Sequence, residues 1–192
     1  MQEKVDYMQD VEKIEKRLEE LQKRKDKVDE LSREIIRNAG KAVVLVHAGR
    51  LDLAKKQLAK LRQILARLKK IDKGFEYYSQ QAKQEYAEAL AFYVFAKEKR
   101  LASLAESGVD EASYLLGMLD LVGELKRHAV DALRKKDAGT AELCYKAMSD
   151  IYDSTLHLKF ASAIVPELRR KQDTARIQLE SVANELLAAN NP

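Results

Sequence analysis

The sequence predicts an all-α fold, and three observations carry that prediction. Glycine and proline are scarce, seven and two in 192 residues, so few turns are signalled and long helices are favoured over a many-stranded sheet. The commonest residues, Ala, Leu, Glu, Lys, Arg and Gln, are good helix formers. Apolar residues also recur every three or four positions along most of the chain, the period of an amphipathic helix. With 46% hydrophobic and 34% charged residues, a sizeable core and a densely charged exterior are both available. No linker, repeat or low-complexity stretch divides the chain, which reads as one domain over 1–192.

The elements follow from that periodicity. Val5, Met8, Val11, Ile14, Leu18, Leu21, Val28, Leu31 and Ile35 form one stripe, interrupted around Lys25. Ala42, Val43, Leu45 and Val46 extend it to about His47. Gly49 suits a position just past the helix end, and Asp52 an N-cap for a second helix holding Leu53, Leu58, Leu61, Ile64, Leu65 and Leu68. Gly74 punctuates that helix. A third long helix is predicted from about Phe75 to Glu106, ended by Gly108. Asp110 caps a fourth, through Leu115, Leu119, Val122, Leu125 and Val130 to about Lys136. Gly139 breaks the chain before a fifth helix with Leu143, Met148, Ile151, Tyr152 and Leu156. Pro166 suits the first residue of a last helix through Leu168, Ile177, Leu179, Val182 and Leu186. The expectation is a bundle of six or seven helices joined by short turns.

Several function classes are excluded. The lone cysteine, Cys144, permits no internal disulfide or Cys-based metal site, and its apolar neighbours mark it as a small core residue. The charged start Met1-Gln2-Glu3-Lys4 has no apolar signal region, and no stretch is apolar enough to span a bilayer, so a cytoplasmic protein with no membrane partner is expected. The net charge of +4 and pI near 9.0 permit a polyanionic partner without demanding one. No Gly-rich phosphate loop and no local signature of a nucleophilic triad is present.

Four carboxylates stand out. The run Ala87–Ala96 is apolar on every side except for Glu88, with Glu85 three residues earlier on the same face. The run from Tyr114 to Leu125 repeats the pattern with Asp120 and Glu124, four apart. Acids at helical spacing are ordinarily solvated or paired with neighbours such as Lys83, Lys126 and Arg127; embedding in apolar runs sets these apart. Buried like charges repel, so something positive should offset them. An all-oxygen set suits Mg²⁺ or Mn²⁺, which would activate water and stabilise charge on a phosphoryl group, one acid serving also as general base. Gly117 and Gly123 each cost about 0.5–1 kcal/mol within a helix, which implies that another backbone or a ligand comes close there. A di-iron site needs Glu-x-x-His on two helices; neither Glu85 nor Glu124 has a His three residues on, and His128 follows Glu124 by four.

Basic residues cluster at Lys55–Arg62, Arg67–Lys73, Lys97–Arg100, Arg134–Lys136 and Arg169–Lys171. Most such runs are solvated helix faces, some offsetting the dipole at helix C-termini. If several faced one cavity of an oligomer, phosphate binding would be strong and salt-sensitive. Tyr77 and Tyr78 suit core packing better than base stacking.

With these segments assembled, the chain resembles the translin superfamily, and within it translin-associated factor X more than translin. Leu31–Ile35 with Val43–His47 is similar to the family's N-terminal helix. Gln84-Glu85-Tyr86-Ala87-Glu88-Ala89 resembles the Glu-Tyr-x-Glu-Ala motif of factor X. Tyr114–Gly117 and Asp120–Arg127 resemble the stretch Tyr-Leu-Leu-Gly…Asp-Leu-x-Gly-Glu-Leu-x-Arg, and Arg169–Asp173 falls where the last helix begins. The resemblance implies about seven helices in a hollow octameric shell, RNA (single-stranded or short duplex) or single-stranded DNA bound inside, and Mg²⁺-dependent endoribonuclease activity. It places catalytic and metal-binding acids at Glu85, Glu88 and Asp120 with Glu124 beside them, and Arg127 at a phosphate. Lys83, Arg169, Arg170 and Lys171 are the other candidate RNA contacts. Translin lacks the full acidic set, so its presence here implies the active branch; the family's catalytic subunit assembles with a separate translin chain, and the expectation for this chain is either that arrangement or a shell formed alone, a homo-oligomer. The competing expectations are a shell that binds nucleic acid without cutting it, and a scaffold whose N-terminal stripe pairs with partner helices.

Overall fold

The computed structural model describes residues 2–190, and the side chains of 6–189. Among the described residues seven helices run in the order α1 (Gln2–His47), α2 (Leu51–Leu68), α3 (Glu76–Glu98), α4 (Leu104–Ser107), α5 (Glu111–Arg134), α6 (Ala138–Thr155) and α7 (Leu168–Asn190). No strand occurs among the described residues. The all-α expectation therefore holds. Helix α1 packs on α2 and α3, α3 on α5, and α5 on both α6 and α7. Helices α3 and α5 are thus the central pair.

The apolar stripes account for this order. On α1, Val28, Leu31, Ile35, Ala39, Ala42 and Val46 are buried. They meet Leu58, Leu61, Leu65 and Leu68 of α2 and the large rings Tyr86, Phe92 and Phe95 of α3 in a continuous core that extends to Leu121, Val122 and Leu125 of α5. Cys144 is fully buried on α6, where desolvation pushes its thiol up to about 12, so it is a packing residue and not a nucleophile. Val5 lies outside the described side chains. Lys25 does not break α1: its amine pairs with Asp29 at 2.7 Å and lies over the Tyr78 ring at 5.1 Å, so the stripe changes partner while the helix continues.

Four boundaries differ from expectation. The third helix does not reach Glu106. Lys99 adopts a left-handed conformation (φ 57°) that ends α3, and Ser103 starts α4 with a reciprocal capping box to Glu106. Asp52 sits inside the first turn of α2, whose N-cap is Arg50. Gly139 does not break the chain; Lys136 (φ 61°) does, and Asp137 caps α6 by accepting from the Thr140 N–H. Pro166 precedes the last helix instead of opening it, because Glu167 is left-handed (φ 58°) and α7 begins at Leu168. As expected, Gly49 follows α1 with φ 69°, and Asp110 caps α5 through the Ser113 N–H.

Candidate functional site: an acidic groove between two central helices

Gly117 sets the distance between α3 and α5. A Cβ there would stand 2.7 Å from the Gln84 carbonyl oxygen, 3.0 Å from the Ala87 Cβ and 3.2 Å from the Glu88 backbone nitrogen. Helix backbones this close require glycine. The close approach lies between the Glu85–Glu88 pair and Asp120, so the residue that permits tight packing also brings those three carboxylates to one groove. Gly123 faces only the flexible Gln178 side chain, at 3.3 Å. Gly117→Ala should therefore destabilise the protein by about 1–3 kcal/mol through overpacking, despite the propensity gain. Gly123→Ala should be near neutral or better. Chemical denaturation of both variants checks this; equal stabilities would contradict it.

Glu85, Glu88 and Asp120 line one groove of about 920 Å³, with Gln81, Gln84, Leu116, Tyr77, Tyr78, Arg170 and Lys171 among its other walls. Glu88 is pushed up to about 9, first by burial and then by the negative charge of Asp120, Glu85 and Glu124, with Lys171 opposing. Glu85 is raised as well, again by burial and then by Asp120. The third acid, Asp120, accepts from the Gln84 amide on one oxygen and from the Lys171 ammonium on the other. Glu124 does not line the groove; its carboxylate meets His47 Nε2 at 2.5 Å. Sequence reasoning gave neither His47 nor Gln84 a part in the acidic site. Their signal lay in the contact order of α1, α3 and α5, which one strand of text does not display.

The residues fit a hard divalent cation in chemistry. All donors are carboxylate oxygens, and the mutual repulsion that raises Glu85 and Glu88 is what a bound cation would relieve. They do not stand as a finished coordination shell: among the described residues, no three His, Cys, Asp or Glu side chains are grouped so as to hold a metal ion. Lys171 pairs with Asp120, so a cation binding through Asp120 would compete with that ammonium.

The basic candidates separate sharply. Lys171 and Arg170 stand at the groove, Arg170 paired with Glu167 at 2.7 Å. Arg169 lines a different cleft with Tyr152, Leu156 and Phe160. Arg127 is exposed on α5 but is not a groove wall. Lys83 must be corrected as an RNA contact: it is buried, and its ammonium binds Asp72 at 2.6 Å and Asp110 at 3.5 Å. Arg100, in another basic cluster, is held by Glu106 at 2.6 Å and Glu98 at 2.7 Å. The tyrosines also depart from the core reading, since Tyr77 is 81% exposed and Tyr78 49%. No described helix is long and apolar enough to cross a membrane.

A mainly helical bundle whose two central helices hold carboxylates in a groove edged by cations and exposed aromatic faces defines a class: α-helical proteins with an acidic site between helices. This chain belongs to the Translin family, whose model matches residues 12–187. An uncharacterised protein of Methanocaldococcus jannaschii is 28% identical over 169 residues, covering 85% of this chain and 75% of that one. The structure of AfC3PO in complex with duplex RNA is similar with a TM-score of 0.84 and 30% identity, over 94% of this chain and 96% of that one. Apo-NeC3PO, at 23% identity, shares the fold with a TM-score of 0.85 over 93% and 96%.

Proposed function

We propose that this chain is a Mg²⁺- or Mn²⁺-dependent endoribonuclease of the factor X type, acting in the cytoplasm within a closed homo-oligomeric shell, an octamer. The observation that carries the reading is the groove itself: Glu85 and Glu88 of α3 share it with Asp120 of α5, and burial together with the neighbouring acids pushes Glu88 up to about 9. A carboxyl buried beside other acids without a cation of its own costs stability, which a purely structural role does not offset. The likeness to a protein solved with duplex RNA supports RNA as the substrate class.

Glu85, Glu88 and Asp120 would hold the ion, and Glu124 would join them only by leaving His47. When bound, it would supply an activated water and Lewis-acid stabilisation of charge on the phosphoryl group. The chain's own residues do the rest. Arg170 and Lys171 place positive charge at the groove edge, where a phosphate backbone would lie. Tyr77 and Tyr78 offer ring faces on which unpaired bases stack. His47 orients Glu124 from the side away from solvent.

A second reading, a shell that binds RNA or single-stranded DNA without cleavage, is favoured by the engagement of both Asp120 oxygens by Gln84 and Lys171. A cleavage assay on short single- and double-stranded RNA separates the two. The nuclease reading expects cutting with Mg²⁺ or Mn²⁺ and none after chelation. Salt-sensitive binding without cutting under any of Mg²⁺, Mn²⁺ or Ca²⁺ would establish the second.

A further inference from the structure

The first half of α1 extends the core stripe into solvent. At Val28, Leu31, Ile35, Ala39, Ala42 and Val46 that stripe is buried within the bundle. Upstream, Tyr7, Val11, Ile14, Leu18 and Leu21 continue at alternating spacings of four and three, yet are 37% to 67% exposed. Arg24 marks the bundle's edge, bonding to the Lys73 carbonyl at 3.0 Å and lying over the Phe75 ring at 4.9 Å. On the face opposite the exposed seam the helix is charged: Glu12, Lys13, Lys16, Glu19, Glu20 and Lys23. So narrow a stripe, at a strict heptad spacing, is the seam of a two-stranded coiled coil and not the broader face of a globular helix.

We infer that this seam pairs antiparallel with the same segment of a second copy of the chain. The flanking charges select both partner and direction. With Val11 and Leu18 at a and Tyr7, Ile14 and Leu21 at d, the g positions are Asp10, Arg17 and Arg24, and the e positions Met8, Glu15 and Gln22. In a parallel pair g faces e, which sets Asp10 against Glu15 of the other copy. In an antiparallel pair g faces g and e faces e. The register that stacks Val11 on Ile14 and Tyr7 on Leu18 then joins Asp10 to Arg17 twice, and sets Glu15 opposite uncharged Met8. Shifting by one heptad sets Arg17 against Arg17 and Glu15 against Glu15. One register is therefore self-complementary, as a two-fold interface requires.

This inference rests on the assembled form proposed above and adds the surface that joins its subunits. Val11→Cys and Ile14→Cys are safe substitutions, because both positions are exposed, and the native Cys144 is buried. Coexpressed as full chains under mild oxidation, the two variants should form disulfide-linked dimers several-fold more readily than either alone, since each position faces the other and not itself. In that background, Asp10→Arg or Arg17→Asp in both copies should lower the yield, and the two together should restore it. A coexpressed pair that stays unlinked, single variants that link equally well, or reversal without rescue would each overturn the pairing. An unlinked protein that still assembles and cleaves RNA would remove this interface alone; an unlinked monomer without cleavage would remove the proposed function with it.

Discussion

Glu88→Gln should cut RNA at least about 100-fold more slowly than the parent, the scale expected when a positioned carboxylate is lost from a reaction centre, while the folded protein becomes more stable. The two effects share one cause. An unfolded glutamate titrates near 4.5, and in the fold Glu88 is pushed up to about 9 by burial and by Asp120, Glu85 and Glu124. Between those values the folded chain keeps a proton that the unfolded chain has released. Its contribution to stability therefore falls as pH rises from 4.5 through about 9. Glutamine keeps the shape and never ionises. The variant's advantage should be absent below pH 4.5 and reach about 1–3 kcal/mol by pH 8, or about 2–10 °C in Tm. Melts at pH 4 and pH 8, with RNA binding and cleavage measured on the same samples, check both halves. Parental cleavage rates would remove Glu88 from the chemistry, and a variant less stable at pH 8 would remove the buried, protonated carboxyl.

Lys83→Ala should lower stability by about 3–5 kcal/mol, the scale set by removing one partner of a buried ion pair. The Lys83 and Asp72 side chains are 9% and 8% exposed and 2.6 Å apart, and Asp72 also accepts from the Ser79 hydroxyl at 2.8 Å. Alanine leaves the Asp72 carboxylate buried with a hydroxyl as its remaining donor. Lys83→Met paired with Asp72→Leu should recover much of the loss, because burying two apolar side chains avoids the desolvation cost of both ions. Denaturation of the single and double variants measures this. If Lys83→Ala unfolds like the parent but weakens RNA binding, the residue serves the ligand after all.

These two residues show where the text of the chain is informative. Glu88 was legible because a carboxylate inside Ala87–Ala96 contradicts its surroundings at helical period. Lys83 sits only five residues earlier and gives no such contrast among Gln81, Gln84 and Glu85. Its partners Asp72 and Asp110 belong to the turns before α3 and α5, joined to it by the packing of helices. The breaks at Lys99, Lys136 and Glu167 were illegible for a different reason: left-handed residues without glycine carry no compositional mark. The Ser103–Glu106 capping box was visible and could have shown that α3 stops early.

The amino-acid order by itself determined that the chain is helical, which faces of most helices are apolar, and that four acids occupy positions where apolar residues are the rule. Those properties follow from local periods that neighbouring residues enforce. The tertiary structure alone decided that Glu85, Glu88 and Asp120 share a groove while Glu124 turns to His47, and that Lys171 and not Lys83 faces the acids. Those outcomes depend on the register and rotation of α1, α3, α5 and α7 against one another. Register is set by the packing of whole faces, above all where Gly117 lets two backbones meet, and no single segment contains that information.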